Sequence, residues 1–245
     1  MGTAEGSSET GGRILVTGGA SGIGLAIARE ARAHGLDVVV IDRDAAELGR
    51  SIIADLSDPD ATAAALEEAL AEGPVTRLVN NVGAVFPNAV EDQTLAEMDA
   101  AFALNLRCAM QCTQALLPGM SEAGFGRIVN MASRAALGKE LRTAYAASKA
   151  GLIGMTRVWS LELGALGVTV NAIGPGPIAT ELFNRANPPG DPRTEAIIGS
   201  IPVRRVGTPE DVANAAWFFL DERSGFVTGQ TLYVCGGMTV GTSPI

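Results

Sequence analysis

"RILVTGGASGIGLAIA", residues 13–28, passes from a run of branched apolar residues through a cluster of glycines into an alanine-rich segment of helical period. The first part has the composition of a buried strand and the last part that of a helix, so the glycines sit in a strand-to-helix turn. Gly18, Gly22 and Gly24 follow a G-x-x-x-G-x-G spacing, with Ser21 and Ile23 inside it. Glycine lets a backbone turn tightly and approach another group closely. The helix that starts there offers unpaired N–H groups and the positive end of its dipole. Such a turn accommodates a pyrophosphate, which makes the stretch a dinucleotide-binding element within a βαβ unit.

The pattern continues outward. The β-branched runs "DVVVID", "RLVNN", "RIVNMAS" and "VTVNAIG" alternate with alanine-rich segments, and helices are expected at about 22–34, 59–72, 94–103, 105–122, 143–164 and 208–220. Asp58 before Pro59 and Thr208 before Pro209 read as an N-cap followed by a proline at the first helical position. Alternation of this kind implies parallel strands joined by crossover helices, and the nearly continuous apolar runs imply a sheet covered on both faces. The expected fold is α/β, a single-domain, Rossmann-like doubly wound sheet spanning 13–245. Residues 1–12, rich in Gly, Ser, Thr and Glu, read as a disordered tail without the apolar core of a signal peptide. Pro175, Pro177, Pro188, Pro189, Pro192 and Pro202 break up residues 175–207, the one long irregular stretch, which is read as a substrate loop. The C-terminal "TLYVCGG" supplies the last strand.

Composition narrows the function. A net charge of −9 argues against nucleic acid or an anionic membrane as partner, and no apolar run approaches the roughly 20 residues needed to span a bilayer. The three cysteines form no CxxC pair and, with a single histidine, make no metal site; reduced thiols and a cytoplasmic location are expected. Small-molecule or protein partners remain.

Asp42 closes the second strand, eighteen residues beyond Gly24. A carboxylate there accepts hydrogen bonds from two free ribose hydroxyls and repels a 2′-phosphate, so NAD is expected rather than NADP. Arg43, next in sequence, would serve a 2′-phosphate if Asp42 turned away.

Proton transfer needs a carrier, and the only histidine, His34, is distant in sequence from the other candidates. "SRAALGKELRTAYAASK", residues 133–149, supplies one: Tyr145 and Lys149, at i and i+4, share a helix face one turn apart. A free phenol titrates near pKa 10, and a neighbouring ammonium is expected to lower that value into the useful range.

With Thr17–Gly24, "NNVG" at 80–83, Ser133, Tyr145-Ala-Ala-Ser-Lys149 and Pro175-Gly176 in this order, the chain resembles the short-chain dehydrogenase/reductase family from about Arg13 onward. The resemblance implies seven parallel strands, a homotetramer and hydride transfer between NAD(H) and a secondary alcohol or ketone. By residue it implies that Tyr145 is the acid/base, that Ser133 holds the substrate oxygen, and that Tyr145 and Lys149 also bind the cofactor, Lys149 at the nicotinamide ribose. Asn105 would be the fourth catalytic member, anchoring a water beside Lys149. Asp55 and Leu56 would meet the adenine; Asn80, Asn81, Val82 and Gly83 would line the cofactor cleft; and Pro175, Gly176, Ile178 and Thr180 would approach the nicotinamide.

The chain departs from the family pattern in three places. Val82 replaces the usual alanine, Cys235 stands where aspartate is common, and Ser133 precedes Tyr145 by twelve residues, one fewer than expected. Arg134, Lys139 and Arg142 bracket the catalytic segment, and Arg185, Arg193, Arg204 and Arg205 lie in the irregular stretch. They read either as surface charge and subunit contacts or as a binding site for an anionic substrate. Two other functions remain open: an NADPH-dependent 3-oxoacyl-carrier-protein reductase, which Asp42 disfavours, and a non-catalytic dinucleotide sensor, which would have no use for a complete proton-transfer set.

Overall fold

The computed structural model describes residues 11–241. β1 (Gly11–Thr17) pairs in parallel with β2 (Leu36–Asp42) on one side and β4 (Arg77–Asn80) on the other. β3 (Arg50–Ile53), β5 (Gly126–Met131), β6 (Val168–Pro175) and β7 (Thr231–Val234) complete a seven-stranded, all-parallel sheet in the order β3-β2-β1-β4-β5-β6-β7. β1 starts inside the stretch read as a tail; residues 1–10 of that stretch lie outside the described residues.

Successive strand residues point to opposite faces, and here both faces are apolar. Ile14 and Val16 pack with α1 (Gly22–Ala33) and α8 (Pro209–Leu220), while Leu15 packs with α2 (Pro59–Leu70) and α4 (Cys108–Glu122). This two-sided burial explains why β1 and β2 lack the polar alternation of a half-exposed strand. α2 and α8 begin as expected: Asp58 accepts from the N–H groups of Asp60 and Ala61, and Thr208 accepts from that of Asp211 in a reciprocal capping box.

The helices expected at 94–103 and 105–122 form one continuous helical stretch. α3 (Leu95–Phe102) runs through a π-helical turn, Ala103–Arg107, into α4. The stretch 175–207 is more regular than its prolines suggest, since it contains α6 (Glu181–Ala186) and α7 (Pro192–Gly199). Pro192 starts α7 rather than breaking a helix, with Asp191 as the N-cap.

The strand order reverses direction between β1 and β4. In a doubly wound sheet, the crevice beyond the carboxyl ends of the strands at such a switch point is where ligands bind. The glycine turn after β1 and "NNVG" after β4 flank it, and α5 (Thr143–Leu163) carries Tyr145 and Lys149.

Candidate active site

Gly18 and Gly22 have φ of +67° and +53°, a region that disfavours other residues. A Cβ on Gly24 would lie 2.0 Å from the Gly18 carbonyl oxygen, so the turn closes only around glycine. Ser21, the N-cap of α1, makes no capping hydrogen bond, in contrast to Asp58, Thr94 and Thr208 on their helices. The first turn of α1 therefore keeps N–H groups that no capping side chain satisfies, as an incoming phosphate requires. The cradle fits a dinucleotide.

Asn81, the residue after β4, braces this turn. Its Nδ2 donates to the carbonyls of Thr17 (3.0 Å) and Gly18 (2.9 Å), while the Thr17 hydroxyl accepts from the N–H groups of Asn81 and Val82. Asn80 is a correction to the expected cleft lining: it is buried and donates to the Asn130 side chain (2.8 Å) between β4 and β5. Neighbouring strand residues face opposite ways, so only one of the two asparagines reaches the turn. Val82 packs partly into the core.

Asp42 faces the glycine turn. Oδ2 accepts from the Ala20 N–H (3.0 Å) and Oδ1 from that of Asp44 (3.2 Å). Arg43 is turned outward, 85% exposed and 3.7 Å from the Asp44 carboxylate. Asp55 follows β3, whose Ile53 is the register partner of Asp42. Hydrogen bonds from the Ser57 hydroxyl and N–H hold the Asp55 carboxyl below the usual carboxylate range. Leu56 and Ile178 are core residues, so only their backbones could meet a ligand. Pro175 ends β6. The Gly176 N–H donates to Val234, and a Cβ on Gly176 would lie 2.8 Å from Cys235 Cα. Thr180 caps α6 and stands over the glycine turn, its Cγ2 being 3.3 Å from where a Gly22 Cβ would lie.

The proton-transfer residues converge across Gly83, where a Cβ would come within 2.9 Å of Asn105 Oδ1 and 3.2 Å of Lys149 Nζ. Ser133 follows β5, and its hydroxyl oxygen accepts from the Ala135 N–H (3.1 Å), which leaves the hydroxyl proton to donate. Lys149 is buried and donates to the Met131 carbonyl (2.7 Å); Nζ lies 5.8 Å from the centre of the Tyr145 ring. Burial draws the Lys149 pKa down to about 8. The expected lowering of Tyr145 is not what this arrangement produces: burial raises its pKa, opposed by hydrogen bonding with Ser133 and by the charge of Arg142. Desolvation disfavours both charged forms, and Lys149 spends a donor on Met131.

Asn105, in the π-helical turn, clamps the loop after β4 to α5. Oδ1 accepts from the Ala84 N–H (2.9 Å), and Nδ2 donates to the Ala84 carbonyl (3.1 Å) and the Ser148 hydroxyl (2.9 Å). No bond joins it to Lys149 directly. Sequence reasoning assigned no role to Thr17, Ser148, the Met131 carbonyl or the Ala20 N–H. Thr17, Ala20 and Ser148 lie inside the quoted motifs, which was their only signal. His34 takes no part: it stacks on Trp217 at the far end of α1.

A family model described as enoyl-(acyl carrier protein) reductase matches residues 18–239. The chain belongs to the short-chain dehydrogenase/reductase family. It is 37% identical over 240 residues to a (2S)-[(R)-hydroxy(phenyl)methyl]succinyl-CoA dehydrogenase subunit of Thauera aromatica, covering 92% of this chain and 96% of the relative. It is 36% identical over 241 residues to D-threitol dehydrogenase of Mycolicibacterium smegmatis, covering 92% of each. Among solved structures, a blue fluorescent protein from a metagenomic library in complex with NADPH superposes with a TM-score of 0.85 at 32% identity, covering 95% of this chain and 100% of that one. Family membership makes the protein an oxidoreductase of hydroxyl and keto groups that uses a nicotinamide dinucleotide. Among the described residues, no helix is long and apolar enough to cross a membrane.

Proposed function

We propose that the protein interconverts a secondary alcohol and a ketone with NAD(H). The convergence of Asn105 and Lys149 over Gly83, with Ser133 and Tyr145 beside them, is the observation that carries this reading, because a non-catalytic sensor has no need of it. Gly18, Ser21, Gly22, Ile23 and Gly24 would hold the pyrophosphate, Asp42 the adenosine ribose, Asp55 and Leu56 the adenine, and Asn81, Val82 and Gly83 the cleft floor. Lys149 would meet the nicotinamide ribose, while Pro175, Gly176, Ile178 and Thr180 flank the nicotinamide. The dinucleotide supplies the hydride acceptor or donor. Ser133 donates its hydroxyl proton to the substrate oxygen and stabilises charge developing there. Tyr145 Oη takes the alcohol proton in oxidation and returns it in reduction. Burial, by raising the Tyr145 pKa, favours the phenol, the form that protonates an alkoxide.

The Asp42 carboxylate, fixed by two backbone N–H groups, supports NAD over NADP. A carboxylate and a phosphate roughly 5 Å apart repel by about 3 kcal/mol at an effective dielectric of 20; solvent exposure reduces this to about 1–2 kcal/mol, or about tenfold in affinity. Titration by nicotinamide fluorescence should show NADH binding about tenfold tighter than NADPH, with Asp42→Ala narrowing or reversing that ratio. Equal affinities in the native protein would count against this assignment, and turnover of oxoacyl thioesters with NADPH would favour a 3-oxoacyl-carrier-protein reductase. The helical stretch 175–207 would cover the substrate. Exposed Val158, Leu161 and Phe226 support association into the homotetramer that the family implies.

A further inference from the structure

The seven basic residues around the catalytic segment fall into two groups. Arg185 pairs with Glu181 at 3.4 Å, Arg205 with both oxygens of Asp211 at 2.5 and 3.0 Å, and Arg204 donates to the Gly199 carbonyl at 2.7 Å. Arg134, Lys139, Arg142 and Arg193 line one open cavity of about 550 Å³, with Gly138, Glu140 and Leu141 completing its wall; of the four, Arg142 also donates to the Leu141 carbonyl at 2.8 Å. None of these four cations takes part in an ion pair found among the described residues.

Four like charges facing one space repel each other, and a chain with 27 acidic residues has ample means to neutralise them. Burial, and after it the guanidinium groups of Arg142, Arg134 and Arg193, hold the Lys139 amine below its ordinary pKa, in keeping with the cavity that the four residues share. The cavity wall neighbours the reacting residues along the chain, since Arg134 follows Ser133 directly and Arg142 lies three residues before Tyr145, and the charge of Arg142 reaches the Tyr145 phenol. Leu141, between them, takes a φ of +59°, a conformation costly for a side chain with a Cβ, in the loop that is one residue short of the family pattern. The exposed side chains of Leu137 and Leu141 give this region an apolar flank.

Resting on the assignment of Ser133 and Tyr145 to the reacting centre, we propose that this cluster is the subsite for the remote end of the substrate, and that the substrate is an alcohol or ketone bearing an oxyanion: a carboxylate, sulfonate or phosphate. Guanidinium forks suit planar and tetrahedral oxyanions, and an ammonium adds a mobile point charge. Glu140 is the one carboxylate in the wall and opposes such a ligand.

Three matched pairs of ketones test this on the full chain with NAD⁺ present, where a ketone cannot be reduced and binding is read without turnover by calorimetry. They are 4-oxopentanoate and its methyl ester, the corresponding sulfonate and its primary sulfonamide, and acetoacetyl-CoA and its uncharged N-acetylcysteamine thioester. At least one charged member should bind about tenfold or more tightly than its neutral partner. That preference should shrink with added salt, disappear in an Arg193→Gln, Lys139→Gln double variant, and grow in Glu140→Gln. The pair with the largest preference identifies the oxyanion. Equal binding within all three pairs, or a preference that survives the double substitution in protein whose thermal unfolding is unchanged, overturns the subsite. A charge preference without turnover in a parallel NADH assay would refute the reaction assignment and leave the subsite standing; turnover without a charge preference would do the opposite.

Discussion

Lys149 offers the sharpest thermodynamic test of the buried site. Its side chain lies within the protein with one hydrogen bond, to the Met131 carbonyl, and its pKa falls from 10.5 to about 8. The displacement corresponds to about 3 kcal/mol. Because the folded value lies below the unfolded one, the unfolded chain binds the proton more tightly between these two pH values, and stability rises with pH across that window. Below pH 8 the folded protein bears the full cost of a desolvated ammonium; as pH rises towards 10.5 that cost is relieved. Urea unfolding of the native chain and of Lys149→Met at pH 7, 8, 9 and 10 isolates the group, since other titrating residues are common to both. The native chain should gain about 2–3 kcal/mol on the variant between pH 7 and pH 10. A difference that stays constant to within about 0.5 kcal/mol would show that the ammonium is solvated and refute the burial argument.

Gly24→Ala places a Cβ 2.0 Å from the Gly18 carbonyl oxygen and 2.6 Å from Asn81 Nδ2. The turn must open, and dinucleotide affinity measured by fluorescence should fall by more than about tenfold; an unchanged Kd would remove the turn from the binding site. Asn105→Ala strips the Ala84 N–H of its acceptor and the Ser148 hydroxyl of a donor in a buried setting. The unfolding free energy from urea titration should drop by about 2–4 kcal/mol, and a loss under about 0.5 kcal/mol would mean that water replaces both contacts.

Most strands and helices and the glycine turn were legible because apolar runs and glycine clusters are local signals; the switch point emerged only with the strand order. β3 was not legible: of Arg50–Ile53 only Ile52 is buried, so the strand owes its existence to pairing with β2 rather than to its own composition. Asp191-Pro192 carries the same start signal as Asp58-Pro59, but the surrounding prolines obscured it. Nothing in Ala103–Arg107 announces a π-helical turn, yet the buried, clamped Asn105 lies within it. The choice between Asn80 and Asn81 depended on strand register. The direction of the Tyr145 shift depended on burial, which no i, i+4 spacing reveals.

The most direct test of the proposed chemistry is Tyr145→Phe, followed by absorbance of the reduced nicotinamide with any substrate the native protein turns over. The variant keeps the ring and loses only the proton carrier. Its NADH affinity should change by no more than about threefold while kcat falls by about 10²-fold or more, as expected when a general acid is removed. Retention of native kcat by a fully folded variant would contradict the assignment of Tyr145 as the acid/base.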